Sequence, residues 1–196
     1  MNTFKFFDTK RLVLLALLTA IVIVLQVLGA FIKFNTFSVS LVLIPIAIGS
    51  ALLGSISGLW LGLVFGVVVL ISGDAAPFMA VNPIATVIVV LLKGALAGFA
   101  AGELYNLFAK RNKTIAAVAA AIACPIINTG IFILGGYIFF LPTLTEWGIA
   151  AGAANVTAFI FLVMVGLNFL LELGISIVLS PTIVRLIQYA QSQKGT

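Results

Sequence analysis

Asn82 to Phe108 reads NPIATVIVVLLKGALAGFAAGELYNLF, a helix-length run that is apolar almost throughout and carries one lysine, Lys93, near its middle. A spanning helix needs about 20 such residues. A charge at the centre of a bilayer costs roughly 2.5–3.5 kcal/mol on insertion scales, so Lys93 asks for a partner, a water-filled cavity or a ligand. The rest of the chain is read around that requirement.

The same apolar character extends in both directions. With 63% hydrophobic and 8% charged residues and a mean hydropathy of +1.34, the chain has too little polar surface for a water-soluble globule, whose apolar share is about 45–50%. We read an all-α integral membrane protein, residues 1–196 forming a single domain of six transmembrane helices with no room for a separate catalytic domain. The spans fall at about 11–31, 41–54, 57–72, 83–108, 114–140 and 157–178. Met1–Ala30 superficially resembles a signal peptide, but Leu12–Phe31 is long enough to span and no small-x-small cleavage site follows it, so it is kept as the first helix. Pro83 suits a helix start. Pro45 is expected to kink the second span, Pro125 to interrupt the fifth, and Pro181 to end or kink the sixth ahead of a polar tail, Arg185–Thr196.

Orientation follows from counting basic residues. With both termini cytoplasmic, the inside receives Lys5, Lys10, Arg11, Lys110, Arg111, Lys113, Arg185 and Lys194, and the outside only Lys33. The net charge of +5 is thereby assigned to topology rather than to a nucleic-acid partner. The outer loops, 32–40, 73–82 and 141–156, are the longer ones and hold most of the non-basic polar and aromatic loop residues, as a lid over an outward-facing pocket would.

Enzyme chemistry has little to stand on. The chain has no histidine, no GxxxxGK[ST] phosphate loop and a single cysteine, Cys124, inside an apolar run where it serves as a small packing residue. Usual metal sites, Ser-His and Cys-His nucleophiles are therefore absent, and no cofactor is expected. What remains inside the spans is a sparse polar set, Gln26, Lys93, Asn128, Asn168 and Glu172, with Asn82 and Asn155 at outer helix ends. Counting 1.5 Å per residue, Lys93 lies about 15 Å below the outer start of its helix, and Asn128 and Asn168 about 18 Å down theirs. Three polar groups at matching depth on helices four, five and six could converge on a ligand. Alternatively Lys93 pairs with Glu172 and holds the bundle together, although interhelical polar contacts in membranes average only about 0.6 kcal/mol. Small-xxx-small spacing recurs at Ala16/Ala20, Ala97/Ala101 and Ala116/Ala120, each able to let helix backbones approach closely, within the chain or against a partner.

Taken together, six helices in this length, Ala16-Leu17-Leu18-Thr19-Ala20 on the first, Leu43-Ile44-Pro45-Ile46 entering the second, Asn82-Pro83 with Lys93-Gly94-x-x-Ala97-Gly98 in the fourth, and Pro125-Ile126-Ile127-Asn128-Thr129 in the fifth resemble the substrate-binding S components of energy-coupling factor (ECF) vitamin transporters. The resemblance implies a cell-membrane subunit that captures a vitamin in an outward-facing pocket and works with a transmembrane T component and two cytoplasmic ATPases. It places partner docking on Ala16 and Ala20, and the pocket on the outer halves of helices four to six with the outer loops. The candidate substrate-binding residues are Lys93, Asn128, Asn82, Asn155, Asn168, Phe78 and Tyr137. A lone cation with amides and an aliphatic, Phe-bearing lining suits a small carboxylate that also carries hydroxyl and amide groups, and among family substrates pantothenate matches best. Cobalamin, folate and hydroxymethylpyrimidine are the alternatives within the family. From another class, the Lys93 and Glu172 pair would suit a self-sufficient ion-coupled carrier.

Overall fold

Asn82 marks the first physical boundary. Its side-chain oxygen accepts a hydrogen bond from the Ala85 N–H at 3.1 Å, and Pro83 takes the first helical position, so donors orphaned at a helix start are answered where the apolar run begins. In the computed structural model, which describes residues 9–31, 33–34, 37–38 and 41–192, this helix is α5 (Pro83–Ala109). It lies between α3 (Ser55–Ile71) and α6 (Lys113–Phe139).

The chain enters through α1 (Thr9–Phe31) and a minimal antiparallel hairpin, β1 (Lys33–Phe34) with β2 (Phe37–Ser38). α2 (Leu43–Leu53) turns into α3 at Gly54, whose φ of 97° is a left-handed conformation that glycine adopts without penalty. α4 (Ala76–Val81) precedes α5, and α7 (Leu141–Ala150) follows α6. A single turn, α8 (Val156–Ala158), continues as a π-helical segment over Phe159–Met164 before α9 (Gly166–Ser192). α9 packs on α6, while α1 sits at the edge against α2 and α3. Lys5 and Lys194 of the orientation count, and residues 32, 35, 36, 39 and 40 of the first outer loop, lie outside the described residues.

Prolines behave differently from the sequence expectation. Pro45 lies in the first turn of α2, where its missing N–H is not needed, so it kinks nothing. Pro125 is carried inside an unbroken α6, and α9 runs through Pro181 to Ser192, so the tail expected from Arg185 is largely helical. The break comes instead between two helical segments with no proline at their junction: Val156–Met164 and Asn168–Leu179 meet at 44°. The π-helical turn supplies it, and Gly166 fits there because a side chain would collide with the Phe161 carbonyl. Loops 73–82 and 141–156 each contain a short helix with proline in its opening turn.

By length and composition, Thr9–Ala30, Pro83–Ala109 and Lys113–Phe139 can each cross a membrane, and the bent pair makes a fourth crossing if taken as one span. α2 and α3, of 11 and 17 residues, are apolar but shorter. This is a helical membrane protein with several spans.

The buried side chains form two clusters. One joins α1, α2, α3, α5 and α6 through Val22, Ile46, Leu61, Phe65, Ala97, Ala101, Ala116, Ala120 and Cys124. The other, at the opposite end of α5, gathers Phe78, Phe140, Leu144, Phe159, Ile160 and Met164.

Candidate functional site

Between these clusters lies a cavity holding about 910 Å³ of atom-free space, part of it in an open mouth. The first cluster contributes Phe65, Val69, Ala75 and Val90 to the wall, and the second contributes Phe78, Phe140, Met164 and Val165. A largely apolar enclosure with inward polar groups is the usual form of a small-molecule site. Its polar groups are Gln26, Asp74, Thr86, Lys93, Asn128, Thr129, Asn168 and Glu172.

Lys93 is half-buried, and the described contacts of its ammonium are two phenyl rings, with Nζ 5.4 Å from the centroid of Phe65 and 5.3 Å from that of Phe132. Each cation–π contact is worth about 0.5–2 kcal/mol, so the pair offsets much of the roughly 2.5–3.5 kcal/mol insertion penalty. Among the described residues Lys93 makes no ion pair. Glu172 lines the same cavity and is 8% exposed. It has contacts of its own, as does Asp74.

Asn128 faces Lys93's cavity from α6, three residues beyond Pro125. Its side chain is 5% exposed, and its Oδ1 is buried without a hydrogen-bond partner. An amide oxygen in that state costs about 1–3 kcal/mol relative to a satisfied one. Gln26, 2% exposed on α1, donates from Nε2 to Asp74 Oδ2 at 2.7 Å, tying the edge helix to the segment between α3 and α4. It lies on the inward stripe Leu18, Val22, Gln26, spaced by four. Among the described residues, the cavity thus sets one ammonium against two carboxylates.

Of the residues singled out in the sequence, Lys93, Asn128, Asn168 and Phe78 come together in this lining. Phe78 is a ring hub, edge-on to Phe132, Phe140 and Trp147 with centroids 5.5, 5.0 and 5.5 Å away. Asn82 and Asn155 lie outside the lining and cap α5 and α8, Asn155 accepting from Ala158 N at 2.8 Å. Tyr137 also lies outside it, its hydroxyl 3.0 Å from Thr157 Oγ1. Gln26, Asp74, Phe65, Thr86 and Glu172 line the cavity although the sequence reading did not place them at the site. For Gln26 and Glu172 the signal was present, since both are polar residues inside apolar spans.

The three small-residue pairs separate by exposure. Ala97, Ala101, Ala116 and Ala120 are buried inside the bundle, whereas Ala16 and Ala20 are exposed on α1.

A bundle of membrane-length helices enclosing one partly polar cavity defines a membrane-embedded binding protein for a small solute. The chain matches the model of the family described as ECF transporter, substrate-specific component, over residues 10–184, and it belongs to that family. It is accordingly a substrate-capture subunit of an ECF importer, a transport subunit rather than an enzyme, and its family implies a T component and ATPases as partners. A search of curated protein sequences gives no match.

Proposed function

We propose that this subunit captures pantothenate from outside the cell, in a six-span arrangement with both termini cytoplasmic, and delivers it through a T component that docks on Ala16 and Ala20. The observation that carries the reading is Lys93, an ammonium whose described contacts are two ring faces, at the wall of a cavity that also contains the unsatisfied Asn128 oxygen. A ligand carboxylate would replace soft ring contacts with a charge-assisted hydrogen bond. Phe78, beside the lining residues of α6, would close over the aliphatic part. Asn168 would add an amide contact. Asn82, Asn155 and Tyr137 would act on the ligand through the helix ends and the outer aromatic cluster they fix. ATP hydrolysis would take place on the partner chains.

The test is isothermal titration of the purified chain with pantothenate, folate, cobalamin and hydroxymethylpyrimidine. Tightest binding of pantothenate is expected, and Lys93→Ala should weaken it by about 1.5–3 kcal/mol, the worth of a hydrogen bond to a charged group. Undiminished affinity in that variant, or preference for another vitamin, would remove the assignment.

Lys93 and Glu172 in one lining favour a second reading, an ion-coupled carrier that works alone. Uptake by the isolated chain in liposomes, driven by a proton or sodium gradient without ATP, would establish that reading instead.

A further inference from the structure

One wall of the cavity is a single short stretch of chain. Asp74, Ala75 and Phe78 line the cavity, while Gly73, Ala76 and Pro77 beside them are exposed. The backbone hydrogen bonds described for this stretch are local, such as Ala76 N–H to the Gly73 carbonyl and Met79 N–H to the Ala75 carbonyl, so they shape it without fastening it to the bundle. Two described points do fasten it: the Phe78 ring sits against Phe132, Phe140 and Trp147, and Asp74 accepts the Gln26 amide at 2.7 Å. Gly73, with a φ of 82° and open space where a side chain would go, provides a swivel immediately before Asp74.

Gln26 reaches that wall from the edge helix. α1 meets the bundle along the narrow buried stripe Leu18, Val22 and Gln26, with Leu17, Val24 and Leu28 exposed beside it, so it can shift as a unit more readily than α5, which is packed between α3 and α6. We propose that Gln26 is a positioning residue: its hydrogen bond holds the 74–78 wall closed from α1, and parting α1 from Asp74 opens the cavity and lets the ligand leave. Gln26 stands six residues along α1 from the exposed Ala20, about 9 Å, so a displacement of that exposed face is felt at the wall. The effect on release rests on the cavity being the ligand site proposed above, whereas closure of the wall does not depend on what the cavity binds.

The experiment reads closure by thiol access on the full chain in detergent. Cys124 is the chain's single cysteine and is buried, so Ala75→Cys, at a buried lining position, adds one reporter thiol for a charged, water-soluble maleimide. Gln26→Met keeps the length of the side chain and removes the bond. It should raise the labelling rate of the reporter about ten- to a hundredfold, the range for a hydrogen bond to a charged group, while Cys124 stays slow. Asp74→Ala breaks the same bond from the wall and should raise the rate as well, and adding Gln26→Met to it should change nothing further. Without the reporter, dissociation of pantothenate, or of whichever vitamin of the panel binds, should follow the same pattern: faster in Gln26→Met, and no faster in the double variant than in Asp74→Ala. An unchanged labelling rate in Gln26→Met, a rise shared by Cys124, or a full effect of Gln26→Met persisting in the Asp74→Ala background would overturn the positioning role. Faster labelling without faster release would overturn this wall as the exit. If no vitamin binds wild type, the cavity's functional reading falls, while the labelling comparison still decides whether Gln26 closes the wall.

Discussion

Toward Gly54, α3 meets α5 through bare backbone: a side-chain carbon placed on Gly58, Gly62, Gly94 or Gly98 would collide with the facing carbonyl group. Ser50 of α2 joins this seam, its hydroxyl donating to the Gly98 carbonyl at 2.8 Å. Toward Asn82 the same two helices carry Phe65, Val69, Val89, Val90 and Lys93, and these line the cavity. One helix pair therefore supplies both the closest packing and the empty space. In a membrane, where lipid tails are as apolar as the side chains, close packing is a main source of helix association. The seam is thus what holds the cavity walls in register, and Gly94 fixes the backbone immediately beside Lys93.

The sharpest way to break this contrast is Gly94→Val, which forces a branched side chain against the Gly62 carbonyl. We expect a loss of about 3 kcal/mol of stability, read as a large drop in thermal unfolding temperature in detergent, with ligand binding lost as a secondary effect. A replacement on the exposed face should do the reverse. Ala16→Trp combined with Ala20→Trp should leave unfolding temperature and ligand affinity unchanged while co-purification with a T component and ATPases is lost. Intact complex formation in that double variant would show that docking lies elsewhere. At the cavity itself, Lys93→Met preserves bulk and removes charge; affinity should fall about ten- to a hundredfold while stability holds or rises, because the insertion penalty is relieved. The smallest expected effect belongs to Asn82→Ala, about 1 kcal/mol of stability from the lost cap. A much larger affinity effect there would place Asn82 in direct contact with the ligand.

The helical membrane class was legible from the apolar runs, and the α5 start from Asn82-Pro83. The convergence of Lys93, Asn128 and Asn168 was legible from helix rise alone, since three antiparallel or parallel helices of known ends place their polar residues at computable depths. Other features had no local signal. α1 is apolar nearly all round, so nothing in its own sequence says that Leu18, Val22 and Gln26 turn inward; packing against α2 and α3 decides that. α4 and α7 are too short to show periodicity, and their prolines, read as loop markers, open helices. The bend in the last span carries no proline, and its only sequence trace is Gly166, one glycine among 18. Exposure separated the small-residue pairs, which spacing could not do.

Lys93 resting between Phe65 and Phe132 has one more consequence. Aromatic faces hold a cation without a preferred direction and without a counter-charge that must later be restored. A captured solute can therefore claim the ammonium without first displacing an ion pair of Lys93 with another described residue, and the rings can take the ammonium back when the solute leaves. Unloading then has to break only the contact that the solute itself makes, which suits a subunit that has to give up its cargo.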